Sequence, residues 1–166
     1  HKGIGILIRS LTYTQRGKLL IIGDGPYKNW LVNLVKKLDL NDRVIFVGPV
    51  DDYWLPSYYS ATDVVVLPST SRLEAFGIVG LEGMATAKPL ILSDIPGVRD
   101  VISEKEGYIV DPLDPSAIAE ALEKIWNAPE MAREMGLRGR ERVEKLFSWE
   151  KVSKDVESVF KNILSK

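Results

Sequence analysis

Short runs of aliphatic residues alternate with longer amphipathic stretches over much of the chain. The runs predict five strands, at Leu19–Ile22, Val44–Val47, Val64–Leu67, Leu90–Leu92 and Tyr108–Val110. Each run is continuously apolar, which is typical of parallel strands that helices cover on both faces. The alternation therefore predicts an α/β fold, with a parallel sheet flanked by helices.

The stretches between and beyond the strands have helical spacing. Apolar residues at positions 4, 7, 8 and 11 predict a helix at the start of the chain, and Asp114 before Pro115 predicts a capped helix start after the last predicted strand. Pro26 suits the first position of a helix, where its missing N–H costs nothing. The other helices are predicted at Pro26–Leu38, Asp52–Ser60, Ala75–Ala87, Val98–Ile102 (a turn or two) and Pro129–Leu146.

A closing helix is predicted over residues 148–165, with one apolar stripe along its length. The stripe consists of Trp149, Val152, Val156, Val159, Phe160 and Ile163. A stripe this complete must be buried against another surface, and self-association through this helix is one way to cover it.

The composition narrows the possible functions. With 22 Lys and Arg against 23 Asp and Glu, the formal charge of the 166 residues is −1, which argues against a nucleic-acid-binding protein. The chain has no cysteine, so disulfides and cysteine-ligated zinc are excluded and the cytoplasm is favoured. No apolar run approaches the about 18 residues of a membrane span. No D-x-D sequence adjoins a strand, and we expect neither a bound metal nor a cofactor.

In an open parallel sheet, ligands bind beyond the carboxyl ends of the strands. The loop after the first predicted strand, Gly23-Asp24-Gly25-Pro26, is similar to a glycine-rich dinucleotide loop, but Lys28 stands where the third glycine would be. This loop is compatible with a cofactor loop or with a plain tight turn.

The loop after the third predicted strand contains a richer candidate site. It brings Glu74 to the predicted start of a helix, where unpaired amides at residues 76–78 would attract an anion. Glu82 follows eight residues later, roughly 12 Å away at the helical rise. That span exceeds the about 5–9.5 Å between the carboxyl groups of a glycoside hydrolase. It suits a nucleotide-sugar, which has hydroxyl-rich groups at both ends and a diphosphate between them.

Spacing alone leaves another interpretation open. Glu74 could simply complement the positive end of a helix, and Glu82 could be an exposed helical residue. Arg72 could likewise reach a donor phosphate or be a solvated loop residue.

Residues 74–82 read E-A-F-G-I-V-G-L-E and closely resemble the E-x7-E motif of retaining GT-B glycosyltransferases of group 1, glycosyltransferase family four. The resemblance covers essentially the whole chain. It implies a Rossmann-like parallel sheet of about five to six strands, forming the C-terminal, donor-binding half of a GT-B enzyme. The other segments that resemble the family, in the same order, are Lys2-Gly3, Ile21–Pro26, Val44–Gly48, Ala61–Ser69, Lys88–Ile91 and Phe147–Trp149.

The resemblance implies a role for each matching residue. Glu74 would be catalytic, because the family's first Glu contacts the donor hexose and stabilises charge at the reacting centre. Lys2 would contact the donor diphosphate. The amides of Phe76, Gly77 and Ile78 would bind the distal phosphate and the sugar.

Two further donor contacts are implied. Glu82 would bind the ribose hydroxyls, and Val50 lies where the family reads the base. The implied reaction is hexose transfer to an undetermined acceptor, with retention at the anomeric carbon and without a metal. A non-catalytic nucleotide- or phosphate-binding module of the same fold is the alternative.

The resemblance also implies a partner domain. The acceptor would bind an N-terminal domain, and the closing helix would cross to it from this donor domain at residues 1–166. The family's first strand is expected to precede His1. We expect the chain alone to bind nucleotide weakly and to transfer no sugar. Attachment of the complete enzyme to a membrane surface stays open.

Overall fold

The computed structural model describes residues 1–164, which form helices and strands in alternation. The strands are β1 (Leu19–Ile22), β2 (Val44–Gly48), β3 (Val65–Leu67), β4 (Leu90–Ser93) and β5 (Gly107–Val110). The α-helices are α1 (Ile4–Ser10), α2 (Lys28–Lys37), α3 (Leu55–Ser60), α4 (Ile78–Ala85), α5 (Pro115–Asn127), α6 (Pro129–Leu146) and α7 (Trp149–Leu164). Short 3-10 helices lie at Leu11–Tyr13 and Arg99–Val101.

The five strands are parallel, as the sequence predicts, and they form two hydrogen-bonded groups. β1 pairs with β2, and β3, β4 and β5 pair in that order. A helix connects each strand to the next except between β4 and β5, where a 3-10 turn intervenes. The predicted α/β architecture is thereby confirmed.

Helix α1 packs against both groups of strands. Leu7 lies in a core cluster with β4, β5 and α5, whereas Ile8 lies in a cluster with α2 and β2. Leu19 on β1 contacts both clusters. A third cluster, centred on the fully buried Met84 of α4, packs that helix against β3 and β4. Burial of each large aliphatic side chain contributes about 1.5–3 kcal/mol, so these clusters fix the positions of α1 and α4.

The expectation that helices cover both faces of every strand is right for β4 and wrong for the first pair. All four residues of β4 are buried. In contrast, Leu20 and Ile22 on β1 and Ile45 on β2 are 36%, 37% and 45% exposed. Within residues 1–164, the core formed by α1 and α2 covers only the opposite face of this pair.

Three helices begin later than the sequence predicts, and one of them is α3, which begins at Leu55 rather than Asp52. Pro26 precedes α2 instead of starting it, because the Lys28 amide donates to the Gly25 carbonyl, 3.1 Å away, and closes a turn first. Helix α4 begins at Ile78 rather than Ala75. Gly77, the residue before it, has a φ of 76°, a left-handed conformation that glycine adopts readily and a helix interior excludes. Glu74 therefore lies on a loop.

The C-terminal helices are close to prediction. Asp114 caps α5: its carboxylate accepts hydrogen bonds from the Ser116 hydroxyl and amide, which keep the pKa of that carboxyl below its usual range. Helix α6 has the predicted bounds. Helix α7 contains no buried residue, and its apolar stripe is exposed. The last residue predicted for it, Ser165, lies outside the described residues. Among residues 1–164, no helix is both long and apolar enough to cross a bilayer.

Helix α6 packs closely on the turn after α4. A Cβ atom at Gly136 would lie 2.0 Å from the carbonyl oxygen of Ala87, far inside contact distance. We predict that Gly136→Ala lowers the free energy of unfolding by about 1–3 kcal/mol, because the helix must move away from the turn. Urea denaturation measures the change. Gly25→Ala is the matched control, since nothing lies within 4 Å of the added Cβ; equal losses in both variants would contradict the prediction.

Candidate functional site

The first residues of the chain lie against the loop that follows β3. The Thr70 amide donates to the His1 carbonyl, 2.8 Å away, and the Thr70 hydroxyl donates to the same oxygen at 3.3 Å. Gly3 has a φ of 67°, and a Cβ atom there would lie 1.7 Å from the Pro68 carbonyl oxygen. Only glycine permits this approach, so Gly3 fixes the chain next to the β3 loop.

This approach brings Lys2 to Glu74. The Lys2 ammonium donates to Oε2 of Glu74 at 2.6 Å, and the buried Ser69 hydroxyl donates to the same oxygen at 3.3 Å. The Glu74 side chain is 13% exposed and the Lys2 side chain 55% exposed. A ligand reaching this pair meets a solvent-facing cation beside a largely buried carboxylate. The pair can therefore receive an anion and a hydroxyl group at neighbouring points.

The amino-terminal end of α4 begins just beyond this pair. The amides of Ile78 and Val79 lie in its first turn, where a helix offers no acceptor, and the end of the helix carries partial positive charge. Of the three amides predicted to occupy that turn, only the Ile78 amide does so. Phe76 lies on the loop and Gly77 is the capping residue, so the predicted helical position of these two is wrong.

Phe76 contacts the junction between α6 and α7. Its ring meets the ring of Phe147 edge to face, with the centroids 5.8 Å apart. Phe147 directly follows α6. Sequence reasoning recognised the segment at residues 147–149 only as a family resemblance and missed this contact, because periodicity carries no signal for a pair of loop residues so distant in the chain.

Glu82 lies on α4 and has a different partner. The Tyr59 hydroxyl of α3 donates to Oε2 of Glu82 at 2.6 Å. Burial raises the pKa of the Tyr59 hydroxyl, and the hydrogen bond and negative charge of Glu82 raise it further. The predicted helical span between Glu74 and Glu82 does not apply, because the segment between them is helical only from Ile78.

The remaining candidate segments are the residues around Val50 and the glycine-rich loop after β1. Val50 is half-buried two residues beyond β2, and no hydrogen bond of the described residues joins it to Glu74 or Glu82. In the loop after β1, Asp24 accepts hydrogen bonds from the Gly25 amide and the Lys28 ammonium, and the Gly23 amide donates to the Gly48 carbonyl of β2 at 2.8 Å. Within residues 1–164, no three His, Cys, Asp or Glu side chains form a group suited to a metal ion.

The comparison with protein families connects this geometry to a known group. Residues 1–142 match the family model of the glycosyl transferases group 1. The chain belongs to this family. The match includes every candidate residue above except Phe147, so the Lys2–Glu74 pair and helix α4 are parts of a group 1 glycosyltransferase fold.

Individual relatives agree with the family assignment. An uncharacterised glycosyltransferase of Methanocaldococcus jannaschii is 32% identical over 165 residues, which are 97% of this chain and 42% of that protein. Sucrose-phosphate synthase from Thermosynechococcus elongatus has a TM-score of 0.89 and 35% identity over 99% of this chain and 43% of that one. An Anabaena protein in complex with UDP has a TM-score of 0.91 at 21% identity, over 97% of this chain and 45% of that one.

These matches identify the architecture. The fold is that of the C-terminal domain of GT-B glycosyltransferases, and the chain spans about two fifths of the length of the relatives it matches.

The Phe76–Phe147 contact stabilises the loop that carries Glu74. Because such a pair contributes about 0.5–1.5 kcal/mol, we predict that Phe147→Ala speeds amide hydrogen exchange over residues 71–77 by about two- to tenfold. Mass spectrometry of the exchanged peptides measures the change. Trp149→Ala is the control, since Trp149 is 87% exposed; the prediction fails if both variants give the same exchange rates.

Proposed function

We propose that this chain is the nucleotide-sugar-binding domain of a retaining, metal-independent glycosyltransferase that transfers a hexose to an acceptor. The single observation that carries the proposal is the Lys2–Glu74 contact at 2.6 Å beside the start of α4. It combines a cation, a carboxylate and free helix amides within one group 1 glycosyltransferase fold. The donor, a nucleotide-diphosphate-sugar, is a substrate, and no cofactor takes part.

The proposed donor contacts follow from charge. A diphosphate would bind the Lys2 ammonium and the amides of Ile78 and Val79, since both the ammonium and the helix end attract anions. When Lys2 turns to the diphosphate, the carboxylate of Glu74 loses its cation and becomes free to accept hydrogen bonds from the hexose. Glu82 would bind the ribose hydroxyls, and the backbone at Val50 would contact the base.

Glu74 is proposed to act at the reacting centre. Departure of the diphosphate leaves positive charge at the anomeric carbon, which a preorganised carboxylate stabilises. Lys2 and the α4 amides would neutralise the negative charge that develops on the leaving diphosphate. Once the donor is bound and Lys2 has turned to the diphosphate, these groups would be in place, so the chemical step itself would need no further reorganisation.

The complete protein is proposed to have a second, acceptor-binding domain. This chain spans about two fifths of its relatives, which leaves room for such a domain in proteins of that length. We propose that the exposed stripe of α7 packs against it, and that the reaction takes place in the cleft between the two. The Anabaena structure contains UDP, and we therefore choose UDP as the first nucleotide to test.

The role of Glu74 separates an enzyme from a binding module. We predict that Glu74→Gln in the full-length protein lowers turnover at least about tenfold, because charge stabilisation at the reacting centre is lost. The Kd of the nucleoside diphosphate should change less than about threefold, since Glu74 contacts the sugar. Kinetics with UDP-, GDP- and ADP-sugars and calorimetry with the matching nucleotide measure both values.

Glu104→Gln is the matched control, because Glu104 is exposed and makes no hydrogen bond within the described residues. Equal losses of turnover and nucleotide affinity in Glu74→Gln would favour a non-catalytic binding module instead. A protein that binds none of the nucleotides would contradict both functions.

Substitution of Lys2 tests whether the diphosphate of the donor binds at this residue. We predict that Lys2→Met weakens UDP binding by about tenfold or more, because a charge-assisted contact to phosphate is removed. Uridine binding should be unchanged, since uridine has no phosphate. Calorimetry on the full-length protein measures both, with Lys105→Met, on an exposed turn, as control. Similar losses for UDP and uridine would show that Lys2 acts on the fold and not on the diphosphate.

A further inference from the structure

The proposed function gives no role to the hydrogen bond between Tyr59 and Glu82. The Tyr59 hydroxyl lies 2.6 Å from Oε2 of Glu82, an ordinary distance for a hydroxyl that donates to a carboxylate. Tyr59 belongs to α3 and Glu82 to α4, so the bond joins two helices. Neither residue type nor spacing in the sequence indicates the pairing.

The Tyr59 ring is fixed in place by its surroundings. It packs against the core cluster that contains Leu67 and Met84, so the hydroxyl projects from an anchored ring. The end of α3 is held as well. The Lys88 ammonium donates to the Ser60 carbonyl at 2.8 Å, and the Thr62 hydroxyl donates to the Tyr59 carbonyl at 2.9 Å. The donor to Glu82 is therefore rigid, whereas the glutamate side chain has three rotatable bonds.

The carboxylate of Glu82 can accept more hydrogen bonds than the one from Tyr59. An ionised carboxylate offers about four acceptor positions on its two oxygens. Tyr59 occupies one of them, on Oε2, and the half-buried Glu82 keeps the others. Two neighbouring hydroxyls, such as those of a ribose, need two acceptors in a fixed plane. A neutral donor such as the tyrosine hydroxyl fixes that plane and leaves the negative charge of the carboxylate in place. A lysine or arginine in the same position would cancel that charge.

We propose that Tyr59 is a positioning residue, which orients the carboxylate of Glu82 to accept hydrogen bonds from the ribose hydroxyls of the donor nucleotide. This inference rests on the proposed function, because it requires Glu82 to bind ribose. It adds that the affinity due to those hydroxyls depends on a residue outside the motif at residues 74–82.

The experiment compares UDP with 2′,3′-dideoxy-UDP, which lacks both ribose hydroxyls, by calorimetry on the full-length protein. For the wild type, UDP should bind more tightly than the dideoxy compound. Tyr59→Phe should weaken UDP binding by about fivefold or more and leave dideoxy-UDP binding unchanged. In a Glu82→Gln background, Tyr59→Phe should have no further effect on UDP, because the two residues act through one contact.

Steady-state kinetics give a second readout. Tyr59→Phe should raise the KM for the donor sugar nucleotide with kcat within about twofold, since ribose contacts are the same in the ground and transition states. Tyr58→Phe is the matched control. It removes the same hydroxyl one position earlier on α3, and the Tyr58 hydroxyl makes no hydrogen bond within residues 1–164. Tyr58→Phe should leave the Kd values of both nucleotides, the KM and the kcat unchanged.

The possible outcomes distinguish failure of the positioning role of Tyr59 from failure of the proposed function. If UDP binds and the dideoxy compound binds more weakly, but Tyr59→Phe changes neither, the positioning role is wrong and the proposed function stands. If Tyr59→Phe weakens the binding of UDP and of the dideoxy compound equally, the hydrogen bond only holds α3 to α4. That result would also overturn the positioning role. If UDP, GDP and ADP all fail to bind the wild type, the proposed function fails, and the role of Tyr59 fails with it.

Discussion

The candidate site depends on the close approach of Gly3 to the Pro68 carbonyl oxygen. That approach, together with the Thr70 bond to His1, places the start of the chain against the loop after β3. Lys2 then meets Glu74, a residue far along the sequence. Lys2 is more than half exposed, so the ion pair by itself contributes little to stability, and its members meet because the backbone brings them together. A side chain at Gly3 would clash with the Pro68 carbonyl and disturb the approach that brings Lys2 to the carboxylate.

The loop at residues 74–77 is constrained from two directions. Lys2 and Ser69 bind Glu74 on one side, and Phe147 contacts Phe76 on the other. Because Phe147 lies between α6 and α7, a displacement of α7 would shift Phe147 and with it the loop that carries Phe76. The exposed stripe of α7 and the proposed catalytic carboxylate are thus connected through one aromatic contact. A partner that packs on α7 would therefore be linked to the proposed donor site through this contact.

The sequence predicts most of the fold, since apolar periodicity reports directly which segments are buried. All five strands and helix α6 lie within a residue of their predicted bounds, and α5 begins where its cap predicts. The predicted start of α4 is wrong because glycine occurs both inside helices and at left-handed caps, and the apolar pattern alone does not show which position Gly77 takes. The exposed face at Leu20 and Ile45 and the contact between Tyr59 and Glu82 depend on which elements lie side by side. Local pattern does not encode that arrangement.

The two acidic residues of the motif have opposite surroundings, and the difference supports two separate roles. Glu74 lies beside a cation, so its negative charge is balanced until an anion draws the cation away. Glu82 lies beside a neutral hydroxyl, so its charge is uncompensated and its remaining acceptor positions are available to hydroxyl donors. Environment, more than residue type, separates the functions of two carboxyl groups in one site. A donor with a diphosphate between two polyhydroxylated groups matches both environments at once.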